Sequence, residues 1–371
     1  MPATSSSPLQ RLSALGQSVW IDVLSRGSIR GGHLQSLIDD DAVVGATSNP
    51  TIFQKAMAET DAYDEQMHEL GAGGEDVSGT FWALAEQDIR GACDLLRGVW
   101  ESGGGRDGYV SLEVDPRLAY DTLQTFREAM RLHEEVDRPN LMVKIPATKP
   151  GLAAIEDVVA TGRSINVTLI FSIQRYQEVA ESYLRGIERL IASGGDPSAV
   201  ASVASFFVSR IATEAARRLD EIGGHDELKG KLAVANAKLA YGHYLQTFAG
   251  PRWEFLASKG ATPQRVLWAS TSTKNPSYPD TLYVEELIGA DTVNTMPEET
   301  IRAYQDHGDP QPRLQAGLEQ AHGVLQQLAS AGIDYDDVTQ TLEREGVQKF
   351  SDSFEELLAA LRAKQQSLAP A

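Results

Sequence analysis

Eight short apolar or β-branched runs recur along the chain, and segments of helical periodicity separate them. The runs are 18–23 ("SVWIDV"), 42–47 ("AVVGAT"), 109–115 ("YVSLEVD"), 140–145 ("NLMVKI"), 164–170 ("SINVTLI"), 201–207 ("ASVASFF"), 265–270 ("RVLWAS") and 291–296 ("DTVNTM"). Runs this short and this continuously apolar suit strands buried on both faces, and strand alternating with helix implies parallel pairing. Eight such strands are the number that closes a (β/α)8 TIM barrel; a doubly wound open sheet is the alternative. Between the runs, "RLAYDTLQTFREAMRLHEEV" sets Leu123, Phe126 and Met130 on one helical face, and "SIQRYQEVAESYLRGIERLI" does the same with Tyr176, Val179, Tyr183 and Ile187.

From residue 311 onward only helical patterns remain, and no Pro/Ser-rich linker precedes them. The expectation is one α/β barrel domain over 1–371, with 311–371 as additional C-terminal helices packed on it. Residues 1–10 read as a disordered lead-in. The 371-residue length does not demand a second domain, because α/β barrels run longer than the average domain.

Composition excludes several functions. With 33 basic against 52 acidic residues the chain carries −19, which disfavours nucleic acid and repels anionic metabolites at long range. An anionic substrate would need locally placed cations. No apolar run approaches the ~20 residues of a membrane helix, and the start lacks the apolar stretch of a secretory signal. The one cysteine, Cys93, can form no intramolecular disulfide. Together these point to a cytoplasmic protein that is not membrane-bound. The sequence leaves homo-oligomer formation open.

Some motifs fail on context. "GGGRDG" (103–108) satisfies G-x-G-x-x-G but follows a helix and precedes a strand, the reverse of a dinucleotide site. The seven histidines have no metal-ligand spacing, so no metal is expected. "NVT" (166–168) matches a glycosylation sequon but lies in an expected buried strand.

Chemistry in a barrel sits at the carboxyl ends of its strands. Those positions hold Asp22, then Thr47, Ser48 and Asn49, then Glu113, Lys144, Asn166 with Thr168, and Ser205 followed by Arg210; the seventh strand runs into "ASTSTKNP". Each residue alone has an ordinary structural reading, such as a turn at Asn49-Pro50. Their convergence on a lysine inside an apolar strand is harder to explain that way. Desolvation disfavours an ammonium, and a neutral lysine amine is the nucleophile that imine chemistry with a carbonyl substrate needs. The competing reading is a buried Lys144–Glu113 ion pair without chemistry.

The segments "ATSNPTIF", "SLEVDPRLAYDT", "LMVKIPAT", "INVTLIFS", "SFFVSRI" and "WASTSTKNPSYPDTLYVEELIGADTVNTMPE" together resemble the transaldolase family, over roughly residues 17–300. The segment between the seventh and eighth strands is most similar to the longer actinobacterial-type branch, and no fused isomerase domain is present. The resemblance implies a (β/α)8 barrel, no cofactor, sugar-phosphate substrates and a place in the pentose phosphate pathway. It implies transfer of a dihydroxyacetone unit from sedoheptulose 7-phosphate to glyceraldehyde 3-phosphate, giving erythrose 4-phosphate and fructose 6-phosphate. By the same resemblance Lys144 forms the Schiff base, Asp22 takes the substrate hydroxyl proton, and Glu113 with Thr168 positions a water. Asn49 and Asn166 would hold substrate hydroxyls, Ser205 and Arg210 a hydroxyl and the phosphate, and Phe207 would lie near the positioned water. Relatives carry Arg where this chain has Lys274, so the phosphate partner could be Ser270 or Ser272, with Ser272 preferred beside Lys274. Two alternatives stand: a class I fructose-6-phosphate-type aldolase that releases free dihydroxyacetone, and a non-catalytic sugar-phosphate-binding barrel.

Overall fold

The computed structural model describes residues 6–368, and in it eight parallel strands close into a barrel in sequence order. They are β1 (Gln17–Ile21), β2 (Val43–Thr47), β3 (Tyr109–Glu113), β4 (Leu141–Pro146), β5 (Ile165–Ile170), β6 (Ser202–Phe207), β7 (Arg265–Ala269) and β8 (Thr292–Met296). The ring closes by pairing β1 with β8, Gln17 opposite Thr292 through Ile21 opposite Met296. Every strand is almost wholly buried, because side chains fill the barrel interior and helices cover its outside.

The helices carry the 3.6-residue stripe that this burial requires. In Ile173–Ala192, Tyr176, Val179, Tyr183 and Ile187 are all buried, as their spacing suggests. In Thr122–Val136 the stripe is rotated from the sequence expectation. Leu123 is exposed, and the buried face is Thr125, Ala129, Leu132, His133 and Val136. Two polar residues can occupy that face because their polar atoms find partners. Thr125 Oγ1 donates to the Leu118 carbonyl at 2.8 Å, and His133 Nε2 meets the Ser164 carbonyl at 3.0 Å.

The first helix, Pro8–Ala14, begins inside the stretch expected to be disordered. Ser7 and Gln10 form a reciprocal capping box, and Leu9 and Leu12 are buried. Residues 1–5 of that stretch lie outside the described residues.

Two helices follow the barrel, Leu318–Ser330 and the long terminal helix Tyr335–Leu368. The terminal helix lies beside the helix after β2, Pro50–Glu59. Thr51 Oγ1 donates to Ser353 Oγ at 3.1 Å, and Lys364 Nζ donates to the Met57 carbonyl at 3.2 Å. Where it crosses the end of β5 it presents Gly346. A Cβ there would come within 3.2 Å of Leu169 and 3.5 Å of Phe171. That close approach brings the next turn, with Phe350, over the barrel mouth.

Candidate active site

A cavity of about 340 Å³ opens at the carboxyl ends of the strands. Parallel register sets its floor: Glu113 pairs with Lys144 and Lys144 with Asn166, so three polar residues stand side by side on β3, β4 and β5. Two irregularities re-aim the strand ends next to it. Register shifts in β1 between Val19 and Ile21, just before Asp22, and in β5 between Val167 and Ile170, around Thr168. Leu169 and Ser270, each beside the cavity, have left-handed backbone (φ 61° and 57°), a conformation that costs free energy for a side chain with a Cβ.

Lys144 Nζ lies 3.2 Å from Glu113 Oε2 and donates to the Ser48 carbonyl at 3.2 Å. Lys144 and Glu113 are both buried. The contact is an ion pair without well-directed hydrogen bonding, because neither Glu113 carboxylate oxygen accepts a hydrogen bond among the described residues. Thr168 Oγ1 is also buried without a partner. Unsatisfied buried polar atoms are rare, and three in one place mark a site shaped for another polar group.

Burial pushes the Glu113 carboxyl above its ordinary range, and the positive charge of Lys144 opposes that shift. Asp22 is likewise raised by burial, against the pull of Lys144 and of a hydrogen bond donated by Thr47 Oγ1 at 2.8 Å. Thr47 Oγ1 also meets Thr295 Oγ1 at 2.7 Å, which ties β2, β8 and the Asp22 carboxylate together.

The remaining residues expected at the site divide into two sets. Asn49, Ser205, Phe207, Arg210, Ser270, Ser272 and Lys274 line the cavity along with Asp22, Lys144 and Thr168. Asn166 and Glu113 sit behind that surface. The Asn166 amide donates to Ser111 Oγ at 3.0 Å and accepts from Ser205 Oγ at 2.7 Å, so it belongs to a buried ladder across β3, β5 and β6. Asn49 Oδ1 caps the following helix by accepting from Ile52 N at 3.0 Å. The two serines differ. Ser270 Oγ pairs with Ser209 Oγ at 2.8 Å, whereas Lys274 Nζ donates to Ser272 Oγ at 2.6 Å.

Several lining residues escaped the sequence reading: Thr295, Lys55, Glu299, Lys349 and Phe350. Phe350 comes from the terminal helix. Its ring centroid lies 5.6 Å from Lys144 Nζ and 5.7 Å from the Arg210 guanidinium, which also stacks 5.1 Å from the Phe207 ring. The two aromatics wall off the space between the lysine amine and the arginine. Thr295 follows Asn294 at the end of β8 and could have been found by the same strand-end rule. Lys55, Lys349 and Phe350 lie on helices, where no such rule selects them.

Among the described residues no group of three or more His, Cys, Asp or Glu side chains could hold a metal ion. No helix among them is long and apolar enough to cross a membrane.

Residues 19–361 match the family described as Transaldolase/Fructose-6-phosphate aldolase. The chain is similar over nearly its full length to proteins called Transaldolase. One from Frankia alni is 53% identical over 359 residues, covering 96% of this chain and 97% of the relative. One from Acidothermus cellulolyticus is 54% identical over 358 residues, covering 96% of each. One from Mycobacterium tuberculosis is 53% identical over 365 residues, covering 97% of this chain and 98% of the relative.

Proposed function

Because this chain belongs to the transaldolase/fructose-6-phosphate aldolase family, we propose that its barrel-mouth cavity transfers a dihydroxyacetone unit between sugar phosphates through an imine on Lys144. The observation that carries this reading is the lysine amine itself, buried in an apolar strand and facing the cavity. It is bracketed by two carboxyls whose ionised forms burial disfavours.

The Lys144 amine attacks the ketose C2 carbonyl and the carbinolamine loses water to give the protonated imine. Glu113 and Thr168 are assigned the water, because their orphaned oxygens can hold one and pass its protons. Asp22 then takes the proton from the C4 hydroxyl. The C3–C4 bond breaks, its electron pair moves toward the imine, and an enamine stays on Lys144 while the aldose phosphate leaves. A carboxylate raised by burial is a stronger base than an ordinary aspartate, which suits this step. The acceptor aldehyde takes the enamine carbon, and Asp22 returns the proton to the new alkoxide. Hydrolysis of the imine frees the product ketose.

Arg210, beside Phe207, and Lys274, bound to Ser272, are assigned the phosphate. Asn49, Ser205 and, through Ser205, Asn166 are assigned the sugar hydroxyls. The fructose-6-phosphate-type aldolase differs in the fate of the enamine, since release needs protonation at carbon followed by attack of a held water. Phe207 and Phe350 surround the intermediate with rings that offer no hydroxyl, which favours transfer. The single cysteine, Cys93, is buried and unpaired, consistent with a reaction carried out in the cytoplasm.

The test is to supply sedoheptulose 7-phosphate with glyceraldehyde 3-phosphate and measure both transfer and release. Formation of erythrose 4-phosphate and fructose 6-phosphate far faster than free dihydroxyacetone supports the reading. Predominant dihydroxyacetone release would make the chain an aldolase.

A further inference from the structure

Lys55, Arg210, Lys274 and Lys349 line the cavity, and none of the four makes an ion pair among the described residues. Many of the cations elsewhere in this −19 chain are engaged by carboxylates, as in Arg217 with Glu214 and Glu221 or Arg252 with Glu181 and Glu188, although others are not. Four unengaged cations from four separate elements, meeting at one mouth, are what an anionic ligand would need against the overall field.

The four are not equivalent. Arg210 is the inner one: it is partly buried, stacks on Phe207 and Phe350, and lies close enough to Asp22 and Glu113 for their charges to act on it. Lys55 and Lys349 are exposed and stand further out. Lys55 comes from the helix after β2, and Lys349 precedes Phe350 on the terminal helix. The Thr51–Ser353 contact holds the two helices together one turn from each lysine. Two carboxylates, Asp22 at the floor and Glu299 on the helix after β8, face the same space, so the lysines work against them as well.

On the functional reading above, we propose that Lys55 and Lys349 form an outer cationic pair that selects the phosphate end of the substrates, making the terminal helix part of the substrate site. Their long stems place point charges and not a fixed fork, which suits phosphates carried on sugars of different length.

The experiment compares Lys55→Met, Lys349→Met and the double variant, with glyceraldehyde 3-phosphate and unphosphorylated glyceraldehyde as acceptors and inorganic phosphate as inhibitor. Each single change should raise KM for the phosphorylated acceptor roughly 2–5-fold, the range for a solvent-exposed charge contact. The double change should raise it about 10-fold, the product of the two. Turnover at saturation and KM for glyceraldehyde should not move. Inhibition by phosphate should weaken in parallel, added salt should shrink the gap to wild type, and Lys349→Arg should restore most of the loss. Unchanged KM in the double variant, or equal rises for the two acceptors, would overturn the inference while leaving the functional reading intact. A wild-type protein that transfers nothing to either acceptor would overturn both.

Discussion

A cation–carboxylate pair stands at each end of the barrel, buried at the carboxyl end and partly buried at the amino end, and the two pairs are built differently. At the amino end of the strands, Arg265 meets Asp107 at 2.9 Å. Asp107 also accepts from Ser18 Oγ at 2.7 Å and Trp20 Nε1 at 3.2 Å, and Arg265 donates further to Ser18 and to the Arg106 carbonyl. Both carboxylate oxygens and the guanidinium are satisfied. At the carboxyl end, Lys144 and Glu113 stand 3.2 Å apart, and both carboxylate oxygens lack a hydrogen bond. A buried ion pair stabilises little unless its remaining hydrogen-bonding positions are filled, so the lower pair reads as structure, and the upper leaves polar positions open for the proposed chemistry. Burial of a charged pair does not separate these roles; what is left unsatisfied does.

The comparison breaks most visibly if both ends are disturbed in turn. Lys144→Arg should lower kcat on the order of 10⁴-fold or more in a protein that still folds, because a guanidinium does not supply a neutral amine. Residual activity within tenfold of wild type would place the nucleophile elsewhere. Arg265→Met should do the opposite. It leaves the partly exposed Asp107 with only its Ser18 and Trp20 contacts and should destabilise by about 1.5–3 kcal/mol in urea titration, while kcat per folded molecule stays near wild type. A loss of turnover without a loss of stability would erase the distinction between the two ends.

A smaller effect is expected at Arg210, the proposed inner phosphate position. Arg210→Met removes a charge-assisted contact, commonly 1.5–3 kcal/mol, so KM for fructose 6-phosphate should rise about 10-fold or more. A matching rise for unphosphorylated fructose would reject the phosphate assignment.

The smallest change should come at Thr47. Its hydroxyl lowers the Asp22 carboxyl, which burial raises. Asp22 must be ionised to take a proton, so a raised carboxyl places the acid limb of the pH–rate profile above the ordinary aspartate range. The unopposed group in Thr47→Val stays protonated to a higher pH, so that limb should move further up while the plateau rate changes little. A limb that moves down, or does not move, would remove Asp22 as the titrating base.

Much of the fold was legible because parallel strands buried on both faces leave short apolar runs, and the eight runs coincide with β1–β8 to within two residues at every end. Helical faces were less legible. Leu123 looked like core but is exposed, since the buried stripe of its helix includes Thr125 and His133, whose polar atoms are satisfied by backbone carbonyls. At the site, strand-end position was enough to nominate Lys144, Glu113, Asp22 and Thr168. It could not tell that the Asn166 amide is spent on Ser111 and Ser205, because that depends on lateral register between strands. Nor could it nominate Phe350. Its place over Lys144 follows from a helix more than 200 residues later in the chain, and from the close packing at Gly346.

The most direct measurement is chemical trapping at the upper pair. Borohydride added to the protein during turnover of fructose 6-phosphate should reduce the imine and leave a three-carbon unit on one lysine. Peptide mass spectrometry should find that unit on Lys144, the buried lysine whose partner Glu113 has both carboxylate oxygens without a hydrogen bond. An adduct on another lysine, or none while turnover proceeds, would contradict the account.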